Sequence, residues 1–455
     1  MAERFEPLYS SAEMRAAEER YPGYPATVPE LMERAGAAVA REAMHAFPAA
    51  RSFACVCGGG SNGGDGRVVA RVLREAGHVA EETDDLDGYD AIVDALFGTG
   101  FRGEPRPEAA KLIALMNDAE APVVSVDVPS GVDASTGEIA GVAVEADLTV
   151  TFHAPKVGLA IAPGRLSAGR VVVADIGLAQ AATAVRRAKP SLLHAIPRRS
   201  AGDTKYTAGA VLVVGGQPGM TGAACLTAMA ALRADAGYAT LAVPESSLAA
   251  AEVLALEPVK LAWSDDDAVH TIVAAAERAN ALAIGPGLGR STGRQALVRA
   301  LLEEVELPAV VDADALFELE PLVRAVPTVL TPHAGELGRL LGRDSEWVDA
   351  HRLEAAREAA ERFSAILLLK GADTIVASPD GTAIVCDLGP PSLATAGTGD
   401  VLTGVVAAFL AKGVEPMTAA AAASVAHGLA AAAVPHQAGL VASDLLRYLP
   451  EALER

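Results

Sequence analysis

Short, continuous apolar runs, each ending in glycine or a polar residue, recur along the whole chain with helical stretches between them. Phe53–Cys57, Ala91–Phe97, Val123–Asp127, Leu148–Phe152 and Arg170–Asp175 are such runs in the first half; Ala210–Val214, Ala281–Ile284, Ala309–Asp314, Val329–Leu330 and Ile366–Leu369 follow in the second. Their length and apolar character predict buried strands. Ser11 to Ala46 carries Leu31, Ala35, Val39 and Ala43 at helical spacing and is broken by Tyr21-Pro22-Gly23-Tyr24-Pro25, which predicts two helices. Arg67–Glu75 and the Ala-rich Val401–Ala411 predict further helices. Strand and helix alternate throughout, so the expected class is α/β with parallel sheets.

The segments that leave these strands are richer in glycine than plain connections need to be. Gly58 to Gly66, Gly98 to Pro105, Gly215 to Ala224 and Gly285 to Gly289 all follow a predicted strand. In an open parallel sheet, ligands bind outside the carboxyl ends of the strands. Asn62, Asp94, Asp127 and Ser130 would therefore converge on one crevice, where four oxygen-bearing side chains could hold a hard cation. Near the C-terminus, Gly397-Thr398-Gly399-Asp400 runs straight into the Val401–Ala411 helix. The amides of Gly397 to Gly399 then sit where a helix N-terminus attracts phosphate, and Asp400 lies close enough to take a proton from an attacking hydroxyl. Lys370, at the end of an apolar strand, is well placed for a phosphate.

With 455 residues, and about 150 per domain as a guide, two domains are expected. Ala182 to Ser200, with Pro190, Pro197, Arg198 and Arg199, reads as the linker, which gives domains of 1–190 and 200–455. The two halves share glycine-rich turns, but their motifs do not align as a repeat. The net charge of −21, from 58 acidic and 37 basic residues, argues against nucleic acid or an anionic membrane as partner. Any phosphate must be held by local loops. Four cysteines in so long a chain fit a reducing compartment, and Cys55-Val56-Cys57 reads as buried strand rather than zinc site. Met1 to Ser10 has no apolar core, and no run reaches the roughly 18 residues of a membrane span, so a soluble, cytoplasmic protein is expected.

Four ordered motifs in the first half resemble the NAD(P)H-hydrate epimerase domain: Ser61-Asn62-Gly63-Gly64-Asp65-Gly66, Val93 to Gly100, Val126-Asp127-Val128-Pro129-Ser130-Gly131 and Ala154-Pro155-Lys156. The resemblance implies a Rossmann-like three-layer fold. It also implies that Ser61, Asn62, Gly63, Gly64 and Asp65 bind the hydrated cofactor, together with Gly98, Thr99, Gly100, Phe101, Arg102, Gly103 and Glu104. Asn62, Asp94 and Ser130 would hold a potassium ion, and Asp127 would be the acid/base at the carbon that inverts. Ser61 stands where that family usually has Asn.

The second half, from about Ser200, resembles the ribokinase-like superfamily. Within it, Gly285-Pro286-Gly287-Leu288-Gly289, Thr331-Pro332-His333-Ala334-Gly335-Glu336 and Lys370-Gly371 are similar to the ADP-dependent NAD(P)H-hydrate dehydratase. That resemblance implies an α/β domain in which Lys370, Gly371, Ala372, Asp373, Thr374 and Gly399 line the nucleotide. Ala223, Gly287, His333 and Asp400 would face the hydrate, with Asp400 as catalytic base, ADP as phosphoryl donor and Mg²⁺ bridging its phosphates. The paired order of the two domains is characteristic of bifunctional hydrate-repair enzymes: the first interconverts R and S hydrates of NADH or NADPH, and the second returns the S hydrate to NAD(P)H, giving AMP and phosphate. Small-molecule substrates and a homo-oligomer are the expected partners. The residues alone leave two rivals open: a small-alcohol or vitamin-precursor kinase fused to a nucleotide-binding domain, and a first half that only binds a nucleotide or a partner.

Overall fold

The computed structural model describes residues 3–454; Met1, Ala2 and Arg455 lie outside the described residues. It comprises two compact units, one of residues 7–186 with 349–352, the other of residues 3–6, 187–348 and 353–454. The chain passes from one to the other within the strands Phe5–Leu8 and Val185–Ala188, and again on either side of residues 349–352.

In the unit of residues 7–186, six strands form a sheet in the order Val79–Glu82, Ser52–Cys57, Ala91–Ala95, Val123–Val126, Leu148–Phe152, Arg170–Ala174. Every pair is parallel. Alternate residues point to opposite faces, as strand geometry requires. Cys55, Val93 and Val124 pack with Leu31, Val39, Val69 and Leu73 of the helices Val28–Ala46 and Ser61–Glu75. Val56, Ile92 and Val123 pack on the other side with Ile113 and Met116 of the helix Pro107–Asp118. This gives three layers. The strand order reverses between Ser52–Cys57 and Ala91–Ala95, which puts the ligand-binding crevice at the carboxyl ends of those two strands.

The glycine-rich stretch after the first strand is shorter as a loop than the sequence suggests, because the helix already starts at Ser61. Its glycines serve close packing: a Cβ on Gly63 would stand 1.8 Å from the Gly58 carbonyl oxygen, and one on Gly66 would stand 2.5 Å from Cβ of Ala95. The helix can therefore lie flush on the sheet with its first amides at the crevice.

In the other unit the parallel strands run in the order Ile366–Leu369, Thr328–Leu330, Ala309–Val311, Ala281–Ile284, Ala210–Val214, Tyr238–Pro244, Val259–Trp263. Thr374–Ala377 and Ala383–Cys386 continue the sheet antiparallel beyond Ile366–Leu369. The order reverses between Ala210–Val214 and Ala281–Ile284, and the loops at that point are joined: Gly216 N–H donates to the Pro286 carbonyl at 3.0 Å, and Gln217 N–H to that of Gly287 at 2.7 Å. The helix Thr398–Ala411 is buried on nearly every side and packs on Thr221–Arg233 and Pro416–Ala433. It starts at Thr398, three residues before the predicted start, so Gly399 and Asp400 belong to its first turn.

The stretch read as a linker is ordered. It contains Val185–Ala188 and a 3₁₀ helix, Pro190–Ala195, whose Leu192 and Leu193, with Ile196, are buried in the core of the second unit. A fragment beginning at Ser200 would lose these side chains, each worth about 1.5–3 kcal/mol of burial. It is expected to unfold at clearly lower denaturant than a fragment beginning at Arg187, and urea titration of the two fragments checks this. Among the described residues, no helix is long and apolar enough to cross a membrane.

Candidate active sites

The helix Ser61–Glu75, the Leu96–Glu104 segment and the turn at Asp127–Ser130 meet at the switch point of the first unit. Asn62 Nδ2 donates to the Phe97 carbonyl at 2.8 Å, which fixes the amide orientation and leaves Oδ1 facing Gly98, where a Cβ would come within 2.8 Å of it. Ser130 Oγ donates to Asp94 Oδ1 at 2.5 Å and accepts from Phe97 N–H at 2.8 Å. Asp94 is fully buried and accepts four hydrogen bonds, from Ser125 Oγ, Ser130 Oγ, Ser130 N–H and Leu96 N–H. Burial raises its pKa against those donors. Asn62 and Ser130 are thus joined through Phe97, and Ser130 is bonded in turn to Asp94. Phe101 stacks on Phe97 at 4.6 Å, and Ser11 Oγ donates to the Thr99 carbonyl, so the Gly98–Glu104 segment is held in place. Arg102 and Gly103 are exposed, and the Glu104 side chain lies against Gly141.

Asp127 does not join the Asp94 cluster. Its backbone has φ of +69°, uncommon for a residue with a Cβ and a form of strain that gathers at functional sites. Lys156 Nζ, fully buried, donates to Asp127 Oδ1 at 2.8 Å and to Thr151 Oγ1 at 2.7 Å, and Thr151 Oγ1 donates in turn to the same Oδ1 at 3.0 Å. One carboxylate oxygen is pinned. Asp65, from the Ser61–Glu75 helix, is pushed up to about 8 by burial and then by the charges of Asp127 and Glu18. Glu18 is raised by burial and by Asp127. Asp65 and Glu18 thus lie within electrostatic reach of Asp127.

In the second unit, the strand-end loops converge on the first turn of Thr398–Ala411. Gly397 begins that helix with φ of +87°, and no side chain caps its amides. A Cβ on Gly399 would meet Lys370 Nζ at 3.4 Å, so the lysine lies against the first turn of this helix. Lys370 Nζ donates to Asp312 Oδ1 at 2.9 Å and stands 3.8 Å from Glu336 Oε2. Thr403 Oγ1 donates to Asp312 Oδ2 at 2.7 Å. Burial works against the lysine charge, but Asp312 and Glu336 outweigh it and raise Lys370. Asp400 is pushed up to about 7, first by burial and then by Asp312, with Lys370 opposing.

His333 caps the helix Ala334–Leu341: its Nδ1 accepts from Gly335 N–H at 3.0 Å, while Glu336 Oε2 accepts from His333 N–H at 2.9 Å. A bare Nδ1 leaves the proton on Nε2, and burial lowers the imidazole pKa. The half-exposed ring can therefore donate from Nε2, which stands 3.5 Å from Glu336 Oε1. Gly287 and Ala223 both border Met220: a Cβ on Gly287 would stand 2.4 Å from the Met220 carbonyl oxygen, which also accepts from Ala223 N–H at 3.2 Å. Gly371 and Ala372 are exposed in the turn after Lys370, Asp373 is buried, and Thr374 starts the next strand.

Residues 211–454 match the family model described as NAD(P)H-hydrate dehydratase, and residues 28–81 and 78–158 match the YjeF-related protein N-terminus. A bifunctional NAD(P)H-hydrate repair enzyme of Moorella thermoacetica is 38% identical, over 93% of this chain and 92% of its own length. The enzyme of the same name from Escherichia coli is 35% identical over 93% of this chain and 89% of its own. The chain belongs to the bifunctional NAD(P)H-hydrate repair enzyme family. Among solved structures, the ADP/ATP-dependent NAD(P)H-hydrate dehydratase of Bacillus subtilis, co-crystallised with ATP and Mg²⁺, is 29% identical with a TM-score of 0.53, covering 58% of this chain and 95% of that one.

For a hydrate-repair enzyme, the sequence left several residues without a role that the geometry places at the two sites. Lys156 lies in the Ala154-Pro155-Lys156 motif, but nothing in the sequence ties it to Asp127, 29 positions before it. Asp312 and Glu336 stood at a strand end and beside a turn, and their link to Lys370 exists only in the fold. The Phe97 carbonyl, a backbone group, carries no sequence signal.

Proposed function

We infer that this chain repairs hydrated NADH and NADPH at two sites, epimerising the R and S hydrates at the first and dehydrating the S hydrate with a nucleotide at the second. The observation that carries the reading is Asp400: a carboxylate raised to about 7, in the first turn of a helix with uncapped amides, beside Lys370. Such a group can both hold and release a proton near neutral pH. The hydrate bears a hydroxyl on C6, and hydroxide leaves poorly. Asp400 takes the hydroxyl proton as the oxygen attacks the terminal phosphorus of ADP; the bond to AMP breaks and AMP departs. The amides of Gly397 to Gly399 and the Lys370 ammonium face the charge of the transferring group. Loss of phosphate from C6 with a proton from C5 then restores the ring double bond.

The neighbouring carboxylates Asp312 and Glu336 fit a magnesium ion carried mainly by nucleotide phosphates, which would neutralise their charge when bound. His333 would orient the hydrate through Nε2–H. In the first unit, the Asn62 amide oxygen and Ser130 hydroxyl, backed by the single charge of Asp94, suit a monovalent cation such as potassium better than a divalent one. Asp127, pinned through Oδ1, would present Oδ2 to the nicotinamide ring.

The test is to add ADP or ATP with Mg²⁺ to a mixture of R and S hydrates and follow the absorbance of reduced nicotinamide. Complete recovery of NAD(P)H with release of phosphate is expected. Accumulation of a stable phosphorylated product would instead indicate a kinase. Recovery that stops at the S fraction, without spontaneous epimerisation, would remove the first activity.

A further inference from the structure

Two neighbouring helices reach into the first turn of Thr398–Ala411 through residues with no assigned role. From Pro416–Ala433, His427 Nε2 lies 2.9 Å from the Thr398 carbonyl oxygen. From Thr221–Arg233, Thr227 Oγ1 donates to the Asp400 carbonyl oxygen at 3.0 Å, sharing its proton with the Ala223 carbonyl at 3.1 Å. Because a carbonyl only accepts, His427 carries its proton on Nε2. Both carbonyls already lie inside the helix, where backbone amides satisfy them, so the added donors are not needed to fill an empty acceptor. What they supply is lateral position.

The surroundings permit little movement. A Cβ on Gly404 would stand 2.2 Å from the Thr227 carbonyl oxygen, so Thr221–Arg233 approaches as closely as backbone allows, and one on Gly428 would stand 2.9 Å from the Gly389 nitrogen, in the segment that leads into the turn. Thr398 Oγ1 donates to the Leu393 and Thr395 carbonyls at 2.9 and 2.8 Å and closes the turn from a third side. A leucine would pack in this alanine-rich interior without requiring an acceptor, whereas a buried imidazole demands one.

We propose that His427 and Thr227 are positioning residues, a two-sided clamp on the first turn of Thr398–Ala411 that sets Asp400 and the Gly397–Gly399 amides against the transferring phosphoryl group. The proposal rests on Asp400 as the base. Burial holds His427 down to about 4, with the Thr398 carbonyl opposing and Lys370 assisting, so the clamp stays neutral and intact across the working range of pH. Misplacement of catalytic groups by a fraction of an ångström lowers turnover more than it lowers binding.

The test uses the full chain with pure S hydrate, ADP and Mg²⁺, and follows R-to-S conversion in the same preparations as a check on the other unit. Thr227→Val removes the hydroxyl at nearly constant volume, and His427→Leu removes the N–H; Thr227→Ser and His427→Gln return a donor. Each deletion should lower kcat by about 10- to 100-fold with KM for ADP within about threefold, and each return variant should recover most of the loss. The double deletion should lose less than the product of the two, because both act on one turn. R-to-S conversion should not change. Turnover within about twofold of the parent in Thr227→Val would overturn the clamp even if His427→Leu fails to fold, as would equal losses in His427→Leu and His427→Gln. Asp400→Asn separates the two levels: full turnover there removes the base on which the proposal rests, whereas an inactive Asp400→Asn beside an unaffected Thr227→Val removes the clamp alone.

Discussion

Asp400→Asn is expected to abolish dehydration while leaving nucleotide binding largely intact, with a loss in turnover on the order of a hundredfold or more. The amide keeps the shape of the side chain but cannot accept the hydroxyl proton. Because burial and Asp312 raise Asp400 to about 7, kcat/KM of the parent enzyme should rise with pH through that value as the base form fills. The same shift has a cost in stability with a definite sign. In the unfolded chain an aspartate loses its proton near its usual value of 3.8, while in the fold it keeps it until about 7. Between these values the folded state binds more protons, so the contribution of Asp400 is fully present below the unfolded pKa and is lost as pH rises through the folded one. At pH 8 the asparagine variant should therefore be more stable than the parent, by roughly 2–4 kcal/mol, and the difference should vanish near pH 4. Turnover and urea denaturation at both pH values check this. Near-normal turnover in the variant would remove Asp400 from the role of base.

How much of this was legible in the sequence depends on the kind of interaction. The strands could be read because each is buried on both faces and so shows as an unbroken apolar run, from Phe53–Cys57 to Ile366–Leu369. Rules for parallel sheets then put Asn62, Asp94, Ser130 and Lys370 near the carboxyl ends of strands, and the glycine turn put Asp400 at the start of a helix, where the fold has them. Helix starts were less visible. Ser61 to Gly66 and Thr398 to Asp400 look like loops because glycine is a poor helix former, yet here glycine is what lets a helix press against Gly58 and Ala95, or face Lys370. The linker reading at Ala182–Ser200 followed its prolines and arginines and overlooked Leu192, Leu193 and Ile196, which the 3₁₀ helix Pro190–Ala195 and its C-cap carry into a core. Partners distant along the chain were not legible at all. His427 is a lone histidine in an alanine-rich helix, and nothing in its neighbourhood points to Thr398, 29 positions before it.

The same limit applies to the first site, where the second large effect is expected. Asp127→Ala should lose R-to-S conversion by on the order of a hundredfold or more, as removal of an acid/base group does, while cofactor binding falls less. Asp94→Ala should weaken both, because four donors, among them the Ser130 hydroxyl and amide, lose their acceptor and the crevice loses its order. Lys156→Met tests the pinning of Asp127. It keeps the length of the side chain but leaves a buried carboxylate without its cation, a change that typically costs about 3–5 kcal/mol unless the acid takes up a proton. If Lys156 acts by aiming Asp127, the loss of epimerisation in Lys156→Met should fall on kcat more than on KM, whereas an indirect structural effect would weaken both. None of the three changes should slow dehydration of pure S hydrate, since that chemistry is assigned to residues of the other unit. Conversion of R to S hydrate is measured beside S-hydrate turnover in each variant. Unimpaired epimerisation in Asp127→Ala would mean that the acid/base residue lies elsewhere, with Asp65, raised to about 8 in the same cluster, the next group to replace.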